Sequence, residues 1–161
     1  MKLLIVRHAL AMEKEDYVGN DDFRPLTLEG VRKMKKNARG LKDLVDRPTL
    51  LASSPLTRAH QTAEILQETW EGLEILPCES LRPSSKPQSL ATWLNERLES
   101  GVETAAVVGH EPHLSQVIQW LSGGRVELKK GGACLVEFDH RIAKGEGLLK
   151  WLATPLFLKS I

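Results

Sequence analysis

Cysteine is almost absent from this chain. Its 161 residues hold two, Cys78 and Cys134, far apart and without CxxC spacing. That argues against a disulfide framework or a thiolate metal site and leaves two reduced, partly buried thiols. An excess of charge of one sign is missing too. Lys plus Arg number 22 against 21 Asp plus Glu, so nothing general attracts nucleic acid or an acidic membrane, and any affinity for anions must be local. There is no long hydrophobic run. The opening stretch Leu3-Leu4-Ile5-Val6 stops at Arg7, too short for a signal peptide or a spanning helix, and a cytoplasmic protein is expected. Repeats, linkers and low-complexity segments are lacking, and the length suits one domain, 1–161. Three catalytic signatures are also missing. Without GxSxG, GxxxxGK[ST] or HExxH, the serine hydrolase, P-loop and zincin readings have no anchor, and GEGLLK lacks the third glycine of a dinucleotide fingerprint.

What is present is alternation. Short β-like runs are KLLIV, TLLASS, Leu73–Leu76 and Thr104–Val108. Between them, apolar residues recur at helical spacing: Leu28, Val31, Met34, Ala38, Leu41 and Val45 behind a Thr27 cap; Leu56, Ala59, Ala63, Leu66 and Trp70; Leu90, Leu94 and Leu98. A fourth helix carries Leu114, Val117, Ile118 and Leu121. ACLVEFD and GLLKWLA then pair as an antiparallel hairpin. The pattern predicts an α/β three-layer sandwich: a mostly parallel mixed sheet between helices, closed by that hairpin.

Polar residues collect where the strands end. Arg7-His8 follows the first strand, Ser53-Ser54-Pro55 the second with Arg58 just beyond, and Gly109-His110 the fourth. In an open α/β sheet, ligands bind outside the carboxyl ends of the strands. Ser54 suits an N-cap and Pro55 a first helical position, which sets Arg58 near free backbone N–H groups. Two guanidinium forks and two imidazoles at one edge match a tetrahedral oxyanion such as phosphate, sulfate or tungstate. Any one of these residues taken singly is more often structural; their coincidence gives the reading its weight. His60 and His140 lack such company and read as structural. A metal shared by His110 and His113 lacks further ligands nearby. The basic residues of the first helix, Arg32 to Lys42, read as a solvated face.

Four segments, VRHALA, RPLTLEG, SSPLTRAHQTAEIL and VVGHEPHLS, occur in the order of the histidine phosphatase superfamily, and the chain resembles that superfamily from Met1 to about Leu121. With no large insertion between its later strands, it is most similar to the SixA-type phosphohistidine phosphatases. The resemblance implies a phosphoglycerate mutase-like fold. It also implies His8 as nucleophile, Arg7 and Arg58 as phosphate ligands, His110 as the second pocket histidine and Arg24 as a substrate-orienting residue. Ala9 stands where the superfamily's commonest signature has Gly. Glu79 is the one carboxylate near the segment in which relatives carry a general acid.

The chemistry runs in the same direction. To attack phosphorus His8 needs a free lone pair, and Arg7 and Arg58 disfavour its protonated form while neutralising phosphoryl oxygens. A phosphohistidine formed on His8 is then hydrolysed by water, with neither metal nor cofactor required. A weak acid site suits a P–N bond, whose nitrogen leaves more readily than an alkoxide. The expected activity is dephosphorylation of a phosphohistidine on a phosphorelay domain or phosphotransferase-system protein, by a monomer with no nucleic-acid or membrane partner. A small-molecule phosphomonoesterase of the same superfamily and a non-catalytic phosphoprotein-binding module are the alternatives.

Overall fold

The structure, a computed structural model, describes residues 1–98 and 101–161. Its centre is β1 (Lys2–Arg7), whose four apolar residues are buried on both faces of the sheet. Alternation along this strand builds two cores. Leu4 and Val6 face one layer while Leu3 and Ile5 face the other, as a pleat of period two requires.

The first layer holds α1 (Leu28–Leu44) and α2 (Thr57–Thr69), which supply Met34, Ala38, Leu41, Ala59, Ala63 and Leu66. Thr27 caps α1, its hydroxyl accepting from Gly30 N–H at 2.9 Å. The second layer holds α3 (Pro87–Arg97) and α4 (His113–Ser122), with Leu90, Leu94, Leu114, Val117 and Leu121 inward. The remaining strands are β2 (Leu50–Ser53), β3 (Ile75–Pro77), β4 (Thr104–Gly109), β5 (Ala133–Glu137) and β6 (Leu148–Ala153), and they join β1 in the order β3-β2-β4-β1-β5-β6. The first four of that order are parallel; β5 and β6 run antiparallel as the expected closing hairpin. This is the three-layer, phosphoglycerate mutase-like arrangement. Among the described residues no helix is long and apolar enough to cross a membrane.

Local details depart from the sequence reading. Helix α2 begins at Thr57 with Leu56 at its cap position, two residues later than a Ser54 cap would set it. Ser54 Oγ is drawn instead toward His110, and accepts only a 3.3 Å bond from Leu56 N–H. Strand β3 is shifted to Ile75–Pro77, because pairing Leu51 with Ile75 lets Leu73 drop into the core ahead of it. Helix α3 starts at Pro87, ahead of the apolar spacing that begins at Leu90, with proline at a first-turn position that needs no N–H. Three 3-10 turns, Lys14–Asp16, Asp21–Phe23 and Glu79–Leu81, and a terminal α5 (Pro155–Leu158) capped by Thr154 are too short to leave a periodic pattern.

Candidate active site

Three adjacent strands, β2, β4 and β1, end level with one another. The ladder pairs Arg7 with Gly109, and one further bond, His8 N–H to Gly109 O at 3.0 Å, carries it past the strand end. Ser54 N–H likewise donates to Val108 O at 3.0 Å. Backbone register thereby sets His8, His110 and Ser54 side by side. The two imidazole centroids lie 5.2 Å apart, and His110 Nε2 is 2.8 Å from Ser54 Oγ. Arg58, second residue of α2, closes the group from the helix side.

These residues line a cavity of about 290 Å³, with Arg7, His8, Arg58 and His110 in its wall. Arg24 lines it too, held by Asp21 Oδ1 at 2.8 Å and the Met12 carbonyl. The structure therefore brings together five of the six residues singled out from the sequence. Glu79 is not among them. Its side chain is 76% exposed and paired with Arg82, the residue that follows its 3-10 turn, and it does not line the cavity. A larger cavity, about 430 Å³, lies beside Met1, Asn95 and Arg141, where β1 begins, and gathers none of these groups.

His8 is only 6% exposed. Its Nδ1 lies 2.7 Å from the carbonyl of Ala9. A carbonyl can only accept, so Nδ1 carries the proton and Nε2 keeps its lone pair. Burial pushes the His8 pKa down to about 3, with smaller contributions from Arg58, Arg7 and Lys130. The arginines thus reinforce neutrality, but desolvation is its main cause. His110 is pushed down to about 2, again by burial first and His8 second. Ala9 fits without strain. No non-glycine residue among those described has positive φ, and Ala9 N–H donates to Thr62 Oγ1 at 3.0 Å.

The cationic side chains are themselves braced. Arg7 Nη1 donates to Leu128 O at 2.8 Å, and Arg58 donates through Nη1 and Nη2 to Asp21 at 3.0 and 3.2 Å. Arg7 Nε, Arg58 Nε and His110 Nδ1 are buried with no partner in the protein among the described residues. Leaving such nitrogens buried and uncompensated is costly.

The sequence reading overlooked four further charged residues of the cavity: Lys14, Asp21, Glu111 and Lys130. Glu111 stands beside His110 in GHEPH, so its position just past a strand end was a usable signal. Lys130 was not legible. It arrives because Gly131 N–H is shared between the carbonyls of Arg7 and His8 at 3.2 and 3.1 Å, a tertiary contact with no local pattern.

Residues 3–84 match the sequence model of the histidine phosphatase superfamily (branch 1). The chain belongs to that superfamily. It is 34% identical over 137 residues, 82% of each chain, to an uncharacterized protein of Picosynechococcus sp.. It is 26% identical over 164 residues to phosphohistidine phosphatase SixA of Escherichia coli, covering 99% of this chain and 97% of that one. Among solved structures, protein histidine phosphatase SixA complexed with tungstate superposes with a TM-score of 0.87 at 24% identity, over 99% of this chain and 100% of that one. The alpha-ribazole phosphatase from Shigella flexneri gives 0.74 at 16% identity, over 96% and 97%. These two structural likenesses are likenesses of fold.

Proposed function

We propose that this histidine phosphatase superfamily member removes phosphate from a phosphohistidine carried on another protein, through a covalent phosphohistidine on His8. The observation that carries the reading is the state of His8: a neutral, buried imidazole whose Nδ1–H is fixed on Ala9 O, leaving a bare Nε2 on a ring that shares its cavity with Arg7 and Arg58. Such a nitrogen is a nucleophile rather than an acid. Arg7 and Arg58 neutralise the phosphoryl oxygens as charge shifts, and His110 supplies a further donor. Fixed guanidinium charge occupies the place that a divalent metal takes in other phosphoryl transfers, so chelator treatment should leave the rate unchanged. The similarity to phosphohistidine phosphatase SixA supports the substrate class. A phosphorelay domain or a phosphotransferase-system protein is the partner we favour, met in the cytoplasm by a monomer.

One observation favours a second reading, a small-molecule phosphomonoesterase. Such an enzyme needs an acid near the leaving oxygen, and Glu111 lines the cavity. Asp21 does not serve, because Arg24 and then Arg58 hold its carboxyl below the usual range. The test is phosphate release from a phosphohistidine protein beside a panel of sugar and nucleotide phosphates, with acid-labile labelling of the enzyme read in parallel. Turnover of the panel without turnover of the phosphoprotein would overturn the first reading. Loss of labelling and turnover in His8→Ala is expected, and normal turnover there would reject the covalent route.

A further inference from the structure

Two carboxylates line a cavity otherwise built for an anion, and they are not equivalent. Asp21 is taken: Oδ1 receives Arg24 Nε at 2.8 Å and Oδ2 receives Arg58 Nη2 at 3.2 Å. Glu111 has no cationic hydrogen-bond partner among the described residues. Its Oε1 accepts from Ser115 N–H at 3.0 Å and its Oε2 from the Ser115 hydroxyl, so the first turn of α4 holds both oxygens in place. A fixed carboxylate facing an incoming phosphoryl group repels it. That arrangement is useful only if the part of the substrate beyond the phosphoryl group brings a donor or a positive charge.

We propose that Glu111 is a specificity-determining residue, accepting a hydrogen bond from the ring N–H of a phosphohistidine substrate on the nitrogen that does not carry phosphorus. The proposal rests on the phosphohistidine reading of the preceding subsection and deepens it. Transfer between two imidazoles is chemically symmetric. On the enzyme side Ala9 O holds the proton on His8 Nδ1, the nitrogen remote from the bond being made. On the leaving side an equivalent acceptor keeps the proton on the nitrogen remote from the bond being broken. A ring protonated there and phosphorylated on its other nitrogen is cationic, which a carboxylate favours over a carbonyl.

In the transfer, the His8 Nε2 lone pair forms the new P–N bond while the substrate's P–N bond breaks with both electrons left on the departing nitrogen. The substrate ring leaves as neutral imidazole, still carrying the proton that Glu111 accepted from. His8, with Nδ1–H and a phosphoryl group on Nε2, becomes the cationic ring. Water oxygen then bonds to phosphorus as the P–Nε2 bond breaks with both electrons left on Nε2, returning neutral His8 and dihydrogen phosphate. An alkyl phosphate presents no such N–H, so it meets only the repulsion.

The experiment compares kcat/KM for a phosphohistidine peptide and for an alkyl phosphate in the wild type, Glu111→Gln and Ser115→Ala, the last leaving the carboxylate but freeing it. Retained stabilisation by tungstate identifies variants whose site is folded. The ratio of phosphohistidine to alkyl phosphate turnover is expected to fall about 10-fold or more in Glu111→Gln, the usual worth of a charge-assisted hydrogen bond, and by a smaller factor in Ser115→Ala. An unchanged ratio in folded variants overturns the proposal. So does a selective loss on the alkyl phosphate, which would make Glu111 a proton donor. A wild type that fails to hydrolyse the peptide at all rejects the underlying function instead, and the two failures are distinct.

Discussion

Gly30, in the first turn of α1, lies so close to Leu10 that a Cβ built on it would stand 2.0 Å from the Leu10 carbonyl oxygen. The same oxygen accepts Thr27 N–H at 3.0 Å, so the helix start and the segment leaving His8 are seated on one another. A methyl group there must displace backbone, since nothing flexible stands in the way. Gly30→Ala is expected to cost about 1–3 kcal/mol, the range for overpacking. It should also lower kcat/KM by up to about 10²-fold, because an error near 1 Å at reacting groups has that effect. Urea unfolding and steady-state rates on the same preparation check both. Equal stability and rate would mean that α1 moves without carrying Leu10.

Acid should weaken this fold earlier than its carboxylates alone would. Burial lowers the pKa of His8 to about 3, that of His110 to about 2, and that of His113 below its ordinary value. Between the unfolded histidine value near 6.5 and those folded values, the unfolded chain binds protons that the folded chain refuses. Stability is therefore whole above about pH 6.5 and is lost as pH falls toward 3. Each such histidine contributes up to about 1.4 kcal/mol per pH unit. His8 and His110 together would remove about 2–3 kcal/mol between pH 6 and 5, a sizeable share of the roughly 5–15 kcal/mol of an ordinary domain, and His113 adds in the same direction. Urea midpoints from pH 7.5 to 4.5 should fall steadily, and a flat profile would show that the folded site takes up protons.

Strands β1, β2, β4 and β5 and the four long helices were legible because each buries one face or two, and burial writes its period into the sequence. β1 is the clearest example, with apolar residues on both faces and then Arg7. The convergence of Arg7, His8, Arg58 and His110 was legible for a related reason: strand ends are visible, and parallel strands bring their ends to one edge. The Ser54 cap was misread because serine satisfies either a helix start or a neighbouring side chain, and His110 wins here. Lys14 reaches the cavity on a three-residue 3-10 turn and Lys130 on an irregular segment, whose course depends on bonds such as Gly131 N–H to His8 O. His8 is buried because strand ends beneath converging loops are covered, which is why desolvation dominates its pKa.

Glu79→Gln is expected to leave turnover of every substrate unchanged. The exposed Glu79 carboxylate accepts from Arg82, and Arg82 reaches Asp22 at 3.0 Å as well, so the pair braces a surface loop. Exposed pairs of this kind contribute little to stability. A drop in phosphomonoester hydrolysis on the order of 10²-fold would place this carboxylate at the leaving group and require the loop to swing inward.

The last prediction tests the pocket apart from its chemistry. Arg7 Nε, Arg58 Nε and His110 Nδ1 are buried without protein partners, and the guanidinium charges beside them are neutralised only in part by Asp21. A tetrahedral oxyanion in the cavity takes up the charge of the arginines that line it, so phosphate or tungstate should bind the folded protein and not the unfolded chain. At 100 times its dissociation constant the ligand adds about 2.7 kcal/mol of stability, readily seen as a rise in Tm. Arg58→Ala should lose most of that rise and, as a removed transition-state donor, about 10²-fold or more in rate. His8→Ala should keep most of the rise while losing turnover, because both arginines remain to hold the anion. If Arg58→Ala retained the full thermal shift, the oxyanion would lie elsewhere, and the assignment of Arg58 to the phosphoryl group would fall.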